Sequence, residues 1–165
     1  MVTVRTPAPI VRAAREGARR WFAGGGVHTW KATSEETAGA FLLFEMTLDA
    51  GKATPLHTHP DSDESMYVLT GELLVHLDGD EHPVGPGGLV VAPRGVPHAF
   101  LVASGPASVL CLHTPGNCQA FYWDASDPIG PDDRGSGVVD FGRVRDSAGS
   151  NGGIELLGPP PFTPR

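Results

Sequence analysis

The sequence is poor in cysteine, in basic residues and in long apolar runs, and each shortage removes a class of protein. Cys111 and Cys118 are its only cysteines, too few for a disulfide framework. They lack a matching His or Cys pair at zinc-ligand spacing, so the expectation is a cytoplasmic chain with free thiols. Lys and Arg number 12 against 19 Asp and Glu, a formal net charge of −7. That balance argues against nucleic acid as a partner, because phosphate binding relies on clustered cations. No run approaches the roughly 18 apolar residues of a membrane span, so no membrane partner is expected. Arg19-Arg20 is followed by Trp21-Phe22-Ala23-Gly24-Gly25-Gly26, which is not the apolar core of an export signal.

What the chain has in quantity is punctuation. Twenty-two glycines and 16 prolines in 165 residues leave few stretches for a long helix and suit short strands joined by tight turns. Apolar runs at Phe41–Leu48, Glu64–Leu69, Leu73–Leu77, Leu89–Ala92, Ala99–Val102 and Ser108–His113 read as strands, with Ala120–Trp123 a further candidate. Asp78-Gly79-Asp80 marks a hairpin, since Asp-Gly tolerates the positive φ of tight turns. Turns every 8–12 residues or so predict an all-β sandwich or barrel in one domain. The expected organisation is a basic arm at 1–26, a barrel at 27–123 and an extension at 124–165. The arm holds Arg5, Arg12, Arg15, Arg19 and Arg20. In the extension, beyond the loose Gly135-Ser136-Gly137 stretch, a helical turn is expected near Phe141–Arg145. An apolar segment there, Ile154–Leu157, is expected to lie across the barrel or a partner.

The chemistry concentrates in "PLHTHPDSDESMYVLTG", residues 55–71. His57 and His59 are two apart, so on an extended strand both imidazoles point to one face. Glu64 follows a polar turn and can return its carboxylate to the same space. His98 comes after Pro93-Arg94-Gly95-Val96-Pro97 at the start of another apolar strand. Three imidazoles and a carboxylate suit one divalent transition metal ion: iron, nickel, manganese, copper, cobalt or zinc. By strand parity Met66 and Val68 share a side with Glu64, and Phe100 and Val102 share one with His98. These four either wall a substrate pocket or pack the core. Trp30, Tyr67 and Phe121 could line its mouth. His113 and Cys111 share a face and read as a packed histidine and thiol; His28, His76 and His82 have no partner at ligand spacing.

Two motifs then give a resemblance. Gly51, five residues, His57-Thr58-His59, four residues, Glu64, six residues and Gly71 resemble the first signature of the cupin superfamily at every position. Gly87, five residues, Pro93-Arg94-Gly95, two residues and His98 resemble the second, which often ends in Asn where this chain has Val102. The resemblance spans about residues 27–123 and implies a double-stranded β-helix, or jelly-roll, barrel. In that pattern Glu64 either binds the ion or acts as a base.

Together with its arm and its Gly-Pro-Pro-Pro-Phe tail, the chain is similar to small bacterial single-domain cupins related to quercetin 2,3-dioxygenases. That similarity implies a non-haem metal dioxygenase taking dioxygen and a flavonol-like or other enol-bearing aromatic small molecule. The same ligands also serve redox-neutral isomerases and cyclases among cupins, and cupin barrels also act as non-catalytic binders. The 26 residues before the barrel are too few and too Gly-rich for a fused helix-turn-helix. A homodimer is expected, with the arm and the apolar tail (Ile154, Leu156, Leu157, Phe162) exchanged across its interface.

Overall fold

A computed structural model describes residues 6–135 and 137–163; Arg5 and Ser136 lie outside the described residues. Among the described residues ten strands and two short helices follow in order: β1 Arg19–Phe22, β2 Val27–Ala32, β3 Leu42–Leu48, β4 Leu56–Thr58, β5 Asp63–Leu77, β6 Asp80–Val84, β7 Leu89–Ala92, β8 His98–Thr114, α1 Gln119–Asp124, β9 Ser126–Pro128, α2 Phe141–Asn151 and β10 Glu155–Gly158. All the pairings are antiparallel. The all-β expectation holds, and the architecture is a jelly roll.

Two long strands build it. Glu64–Val68 of β5 pairs with Val109–His113 of β8, while Leu73–Leu77 pairs with His98–Val102. The first level of this pair is flanked by β7 and by β3, which continues through β2 and β1 to β9. The second is flanked by β6 and by β4, which pairs with β10. Both long strands therefore pass through both faces of the barrel. The core between the faces holds Trp30, Leu42, Phe44, Met46, Leu48, Met66, Val68, Leu73, Val75, Phe100, Val102 and Val109.

The sequence divides each long strand in two, at Thr70-Gly71 and at Ala103–Ala107. In the structure both run on, through register shifts between Val68 and Leu73. Gly71 adopts φ +79°, and a Cβ there would sit 2.6 Å from the Pro106 carbonyl oxygen and 2.7 Å from Ala107 Cα. The turn chemistry is real, but it makes a bulge rather than a strand end.

Two other expectations are corrected. Ala120–Trp123 is helical, within α1; Phe121 and Tyr122 are adjacent and both buried, which strand alternation does not give. A run of four residues is too short for periodicity to separate the two. The helix near Phe141 extends to Asn151, with the Asp140 side chain accepting from Arg143 N–H at its start and Gly152, at φ +65°, at its end. Its inward side is carried by only Val144, Ser147 and the half-buried Ala148, so the apolar signal is weak.

Both terminal segments make contacts with the barrel. Arg12 pairs with Glu36, and Arg19 donates to the carbonyls of Gly130 and Pro131. Arg20 donates to Ser126 and lies 4.2 Å over the Trp123 ring, a contact worth about 0.5–1 kcal/mol when exposed. Arg19 and Arg20 are part of β1, inside the sheet. At the other end, Leu156 of β10 sits opposite His57 of β4. No described helix is long and apolar enough to cross a membrane.

Gly71→Ala should destabilise the fold by roughly 2–4 kcal/mol, through left-handed strain and overlap with backbone. Gly85→Ala, where nothing lies within 4 Å, should change stability by less than about 0.5 kcal/mol. Denaturant melts of the two variants make the comparison. His28 provides a pH test: its ring is stacked 4.8 Å from Phe22 and 4.5 Å from Phe44, and burial pushes its pKa down to about 3. Below its ordinary value of 6.5 the unfolded chain binds the proton first, so stability falls as pH drops from 6.5 towards 3. His28→Phe should reduce that slope by about one proton, measured as stability against pH between 6 and 4.

Candidate metal centre

Antiparallel register brings the candidate ligands together. His57 on β4 lies directly opposite His98, the first residue of β8. Glu64, second in β5, pairs with His113 on one side and Ala92 on the other. His59 follows β4 by one residue, and the polar turn after it leads straight back into β5. Arg94 clamps that turn by donating from its backbone N–H and its guanidinium to Asp63, at 2.8 and 3.1 Å.

All four candidate ligands are buried, with exposures of 6% for His57, 1% for His59, 4% for Glu64 and 2% for His98. Their ligand atoms lie within 4.8 Å of one another. Glu64 Oε2 is the common point, 2.6 Å from His98 Nε2, 3.2 Å from His59 Nε2 and 3.9 Å from His57 Nε2.

Backbone carbonyls fix which nitrogens face inward. His57 Nδ1 is 2.8 Å from the Pro55 oxygen, His98 Nδ1 2.8 Å from the Val96 oxygen, and His59 Nδ1 2.8 Å from the Gly153 oxygen. A carbonyl only accepts, so each Nδ1 carries a hydrogen and Nε2 is the nitrogen turned towards Glu64, where it can ligate an ion in the neutral form of the ring. His59 Nε2 has no hydrogen-bond partner among the described residues, although Glu64 Oε2 is near it. Ring nitrogens converging on a carboxylate in a buried space need a proton or a metal ion between them; a proton serves at His98, 2.6 Å from Glu64 Oε2, while His59 Nε2 is left without one. The residues therefore fit a divalent ion, with the outer acceptors that histidine ligands use.

Charge follows geometry. Burial pushes His57 down to about 4, which keeps it neutral. Burial also pushes His98 down, but its bond to Glu64 more than offsets this and leaves its pKa raised. Desolvation alone would raise Glu64; the surrounding imidazoles reverse it and hold the group well below the usual carboxylate range.

A second set of side chains surrounds the other carboxylate oxygen. The Cys111 thiol donates to Glu64 Oε1 at 3.3 Å, and His113 Nε2 lies 3.8 Å from Oε1 and 3.5 Å from the sulfur. The Tyr122 hydroxyl is 3.1 Å from His113 Nε2. The sequence offers Cys111 and His113 only as packing residues. The available signal was parity: both point inward at the level where β8 meets Glu64. Tyr122 gave no signal, since a helix delivers it.

Met66, Val68, Phe100 and Val102 all point inward and are buried in the core cluster. Val102, standing where cupins often have Asn, also anchors the Gly51 turn: its N–H donates to the Lys52 carbonyl, and its own carbonyl accepts from Gly51 N–H. Of the three residues considered for a pocket mouth, Trp30 and Phe121 are core and Tyr67 is exposed on the outer face. His76 and His82 lie on the β5–β6 hairpin, opposite Glu81 and Val75, and neither belongs to a group of candidate ligands among the described residues.

A family profile described as "Cupin domain" matches residues 44–113, the stretch that carries all four candidate ligands together with Cys111 and His113. The chain is also 30% identical over 120 residues to quercetin 2,3-dioxygenase of Bacillus subtilis. The chain belongs to the cupin superfamily. The alignment takes in 73% of this cupin but only 35% of the Bacillus protein, so the chain spans about a third of that relative's length. Among solved structures, an RmlC-like cupin from Shewanella frigidimarina matches with a TM-score of 0.58 at 17% identity, over 67% of this chain and 95% of that one. A protein from Thermotoga maritima described as a predicted oxalate decarboxylase also scores 0.58, at 21% identity, over 65% of this chain and 99% of that one. At those identities the two structures speak for the fold alone.

Gly153 gives this cupin's centre a test outside the motifs. It adopts φ +78°, and a Cβ there would lie 2.8 Å from Cys118 Cα and 2.9 Å from Cys118 Cβ. Gly153→Ala should shift the carbonyl that orients His59 and weaken divalent-metal affinity about 10- to 100-fold. Competitive chelator titration measures this, with circular dichroism checking that the barrel is retained.

Proposed function

We propose that this cupin is a metal-dependent, non-haem dioxygenase acting on a flavonol-like or other enol-bearing aromatic small molecule. The observation that carries the reading is the donor set: three carbonyl-locked imidazoles and one carboxylate gathered in a buried cluster. Similarity to a quercetin 2,3-dioxygenase over 73% of the chain supports the substrate class. In this reading His57, His59 and His98 hold the ion, and Glu64, the fourth candidate ligand, turns from ligand to base when substrate binds. A divalent transition ion held there would supply a Lewis-acidic, redox-capable centre.

The chain's own residues do the rest. His57, His59 and His98 act as neutral donors whose orientation is set before any substrate arrives. Glu64 takes the proton of the substrate's enolic hydroxyl, since Oε2 is the oxygen that faces the imidazoles. It waits as the carboxylate, the form that can accept a proton, and it gains basicity as substrate displaces the imidazole contacts that hold its pKa down. Met66, Val68, Phe100 and Val102 form apolar walls that exclude water and favour a flat hydrophobic ring over a sugar phosphate, which would need Arg or Lys inside.

Dioxygen consumption tests the proposal. Protein reconstituted separately with iron, nickel, manganese, copper or cobalt should consume dioxygen when given flavonols, catechols or 1,3-diketones. His98→Ala should abolish the uptake. Glu64→Gln should retain substantial metal and lose about 10²- to 10⁴-fold in turnover; full activity in that variant would remove Glu64 as the base. Metal-loaded protein that consumes no dioxygen across the panel would instead favour a redox-neutral isomerase or cyclase, or a non-catalytic binder.

A further inference from the structure

Glu64 is shared between two sets of potential ligands, and only one belongs to the cupin motifs. On its Oε1 side, Cys111 Sγ, His113 Nε2 and Oε1 itself form a triangle with edges of 3.3, 3.5 and 3.8 Å. Tetrahedral zinc, with bonds of about 2.3 Å to sulfur and 2.0–2.1 Å to nitrogen or oxygen, separates such ligand atoms by about 3.3–3.6 Å. The triangle is therefore close to one face of a zinc tetrahedron. Cys111 and His113 are fully enclosed, and the Tyr122 hydroxyl lies 3.1 Å from His113 Nε2.

We infer that the cupin carries a second, thiolate-containing ion position formed by Cys111, His113 and Glu64 Oε1, which takes a borderline-soft divalent ion such as zinc or cobalt. The inference rests on the reading of Glu64 as a ligand of the first centre, because its carboxylate bridges the two positions. Carboxylate-bridged ions commonly lie about 3.5–4 Å apart, a separation that the two faces of one carboxylate provide. The pairing of sulfur with nitrogen selects against magnesium, calcium and manganese. Binding at this position releases the Cys111 proton, since the thiolate is the form that ligates.

The two positions differ in strength for a structural reason. Each imidazole of the first set donates Nδ1–H to a carbonyl, whereas His113 Nδ1 has no partner among the described residues. Loss of such an outer acceptor costs about 10- to 100-fold in metal affinity. The thiolate position therefore fills second.

Cobalt(II) titration of the apo-protein tests this directly, because a thiolate ligand gives an intense near-ultraviolet sulfur-to-cobalt charge-transfer band that nitrogen and oxygen ligands do not. The expected result is a first equivalent without the band, then a weaker second equivalent that brings it in. Cys111→Ser should bind one equivalent and show no band; His113→Ala should do the same. His57→Ala should weaken the first site and keep the band. Saturation at one equivalent without the band in wild-type protein would overturn the inference and leave the first centre standing. No cobalt binding at all would remove both. A band that survives Cys111→Ser but is lost in Cys118→Ser would also overturn it, assigning the thiolate to the other buried triad, His59, His113 and Cys118. The wild-type stoichiometry and spectrum decide the matter even if a core substitution impairs folding.

Discussion

Everything in the centre depends on three backbone carbonyls. Without the acceptors at Pro55, Val96 and Gly153, each imidazole could swap tautomers, and the three Nε2 atoms would no longer be bound to converge. Two of the acceptors are local: the carbonyls of Pro55 and Val96 each lie two residues before the histidine they serve. The third comes from the far end of the chain. Gly153 is 94 residues from His59, on the short link between α2 and β10. The C-terminal extension is thus part of the centre, and β10 holds it there by pairing with β4.

Enclosure sets the electrostatics. Four polar groups are packed inside an apolar barrel, where an unpaired charge costs several kcal/mol. The histidines respond in different ways according to what they face. His57 and His113 are pushed down by burial to about 4 and about 3, whereas His98, bonded to Glu64, is raised. The carboxylate is the one stable anion in the pocket, and every other titratable group there is arranged around it. That makes Glu64 the group on which both the proposed proton transfer and the proposed second position rely.

Legibility in the sequence followed the range of the interactions. His57, His59, Glu64 and His98 could be read because their roles depend on local spacing: alternation along one strand, a polar turn, a Pro/Gly turn before His98. The fold class was readable for the same reason, from turns at regular intervals. What escaped depends on pairings distant in sequence. Tyr122 reaches the pocket from α1, which four residues of pattern could not distinguish from a strand. The tail was readable as an apolar segment, but its docking on β4 and its carbonyl for His59 follow from tertiary packing. Arg19 and Arg20 read as an arm because their charge masked the alternation of β1.

The mid-strand bulge is the least visible of these features and one of the most consequential. On β5 the inward residues are Glu64, Met66 and Val68 before Gly71, but Leu73 and Val75 after it; on β8 they are Phe100 and Val102 before Gly105, but Ala107, Val109, Cys111 and His113 after it. Parity flips from even to odd on both strands at the same level. A strand's side chains alternate with period two, so an unbulged strand that aimed Glu64 inward would aim Leu73 and Val75 at solvent. The register shift lets one continuous strand present the carboxylate to the site at one end and pack the core at the other. Gly71 is fitted to that shift, since the Pro106 carbonyl oxygen occupies the space any side chain would take. The glycine that closes the first motif, seven residues beyond the last ligand of that motif, thus touches no ion. Its place in the pattern follows from keeping Glu64 and the barrel core on the same strand.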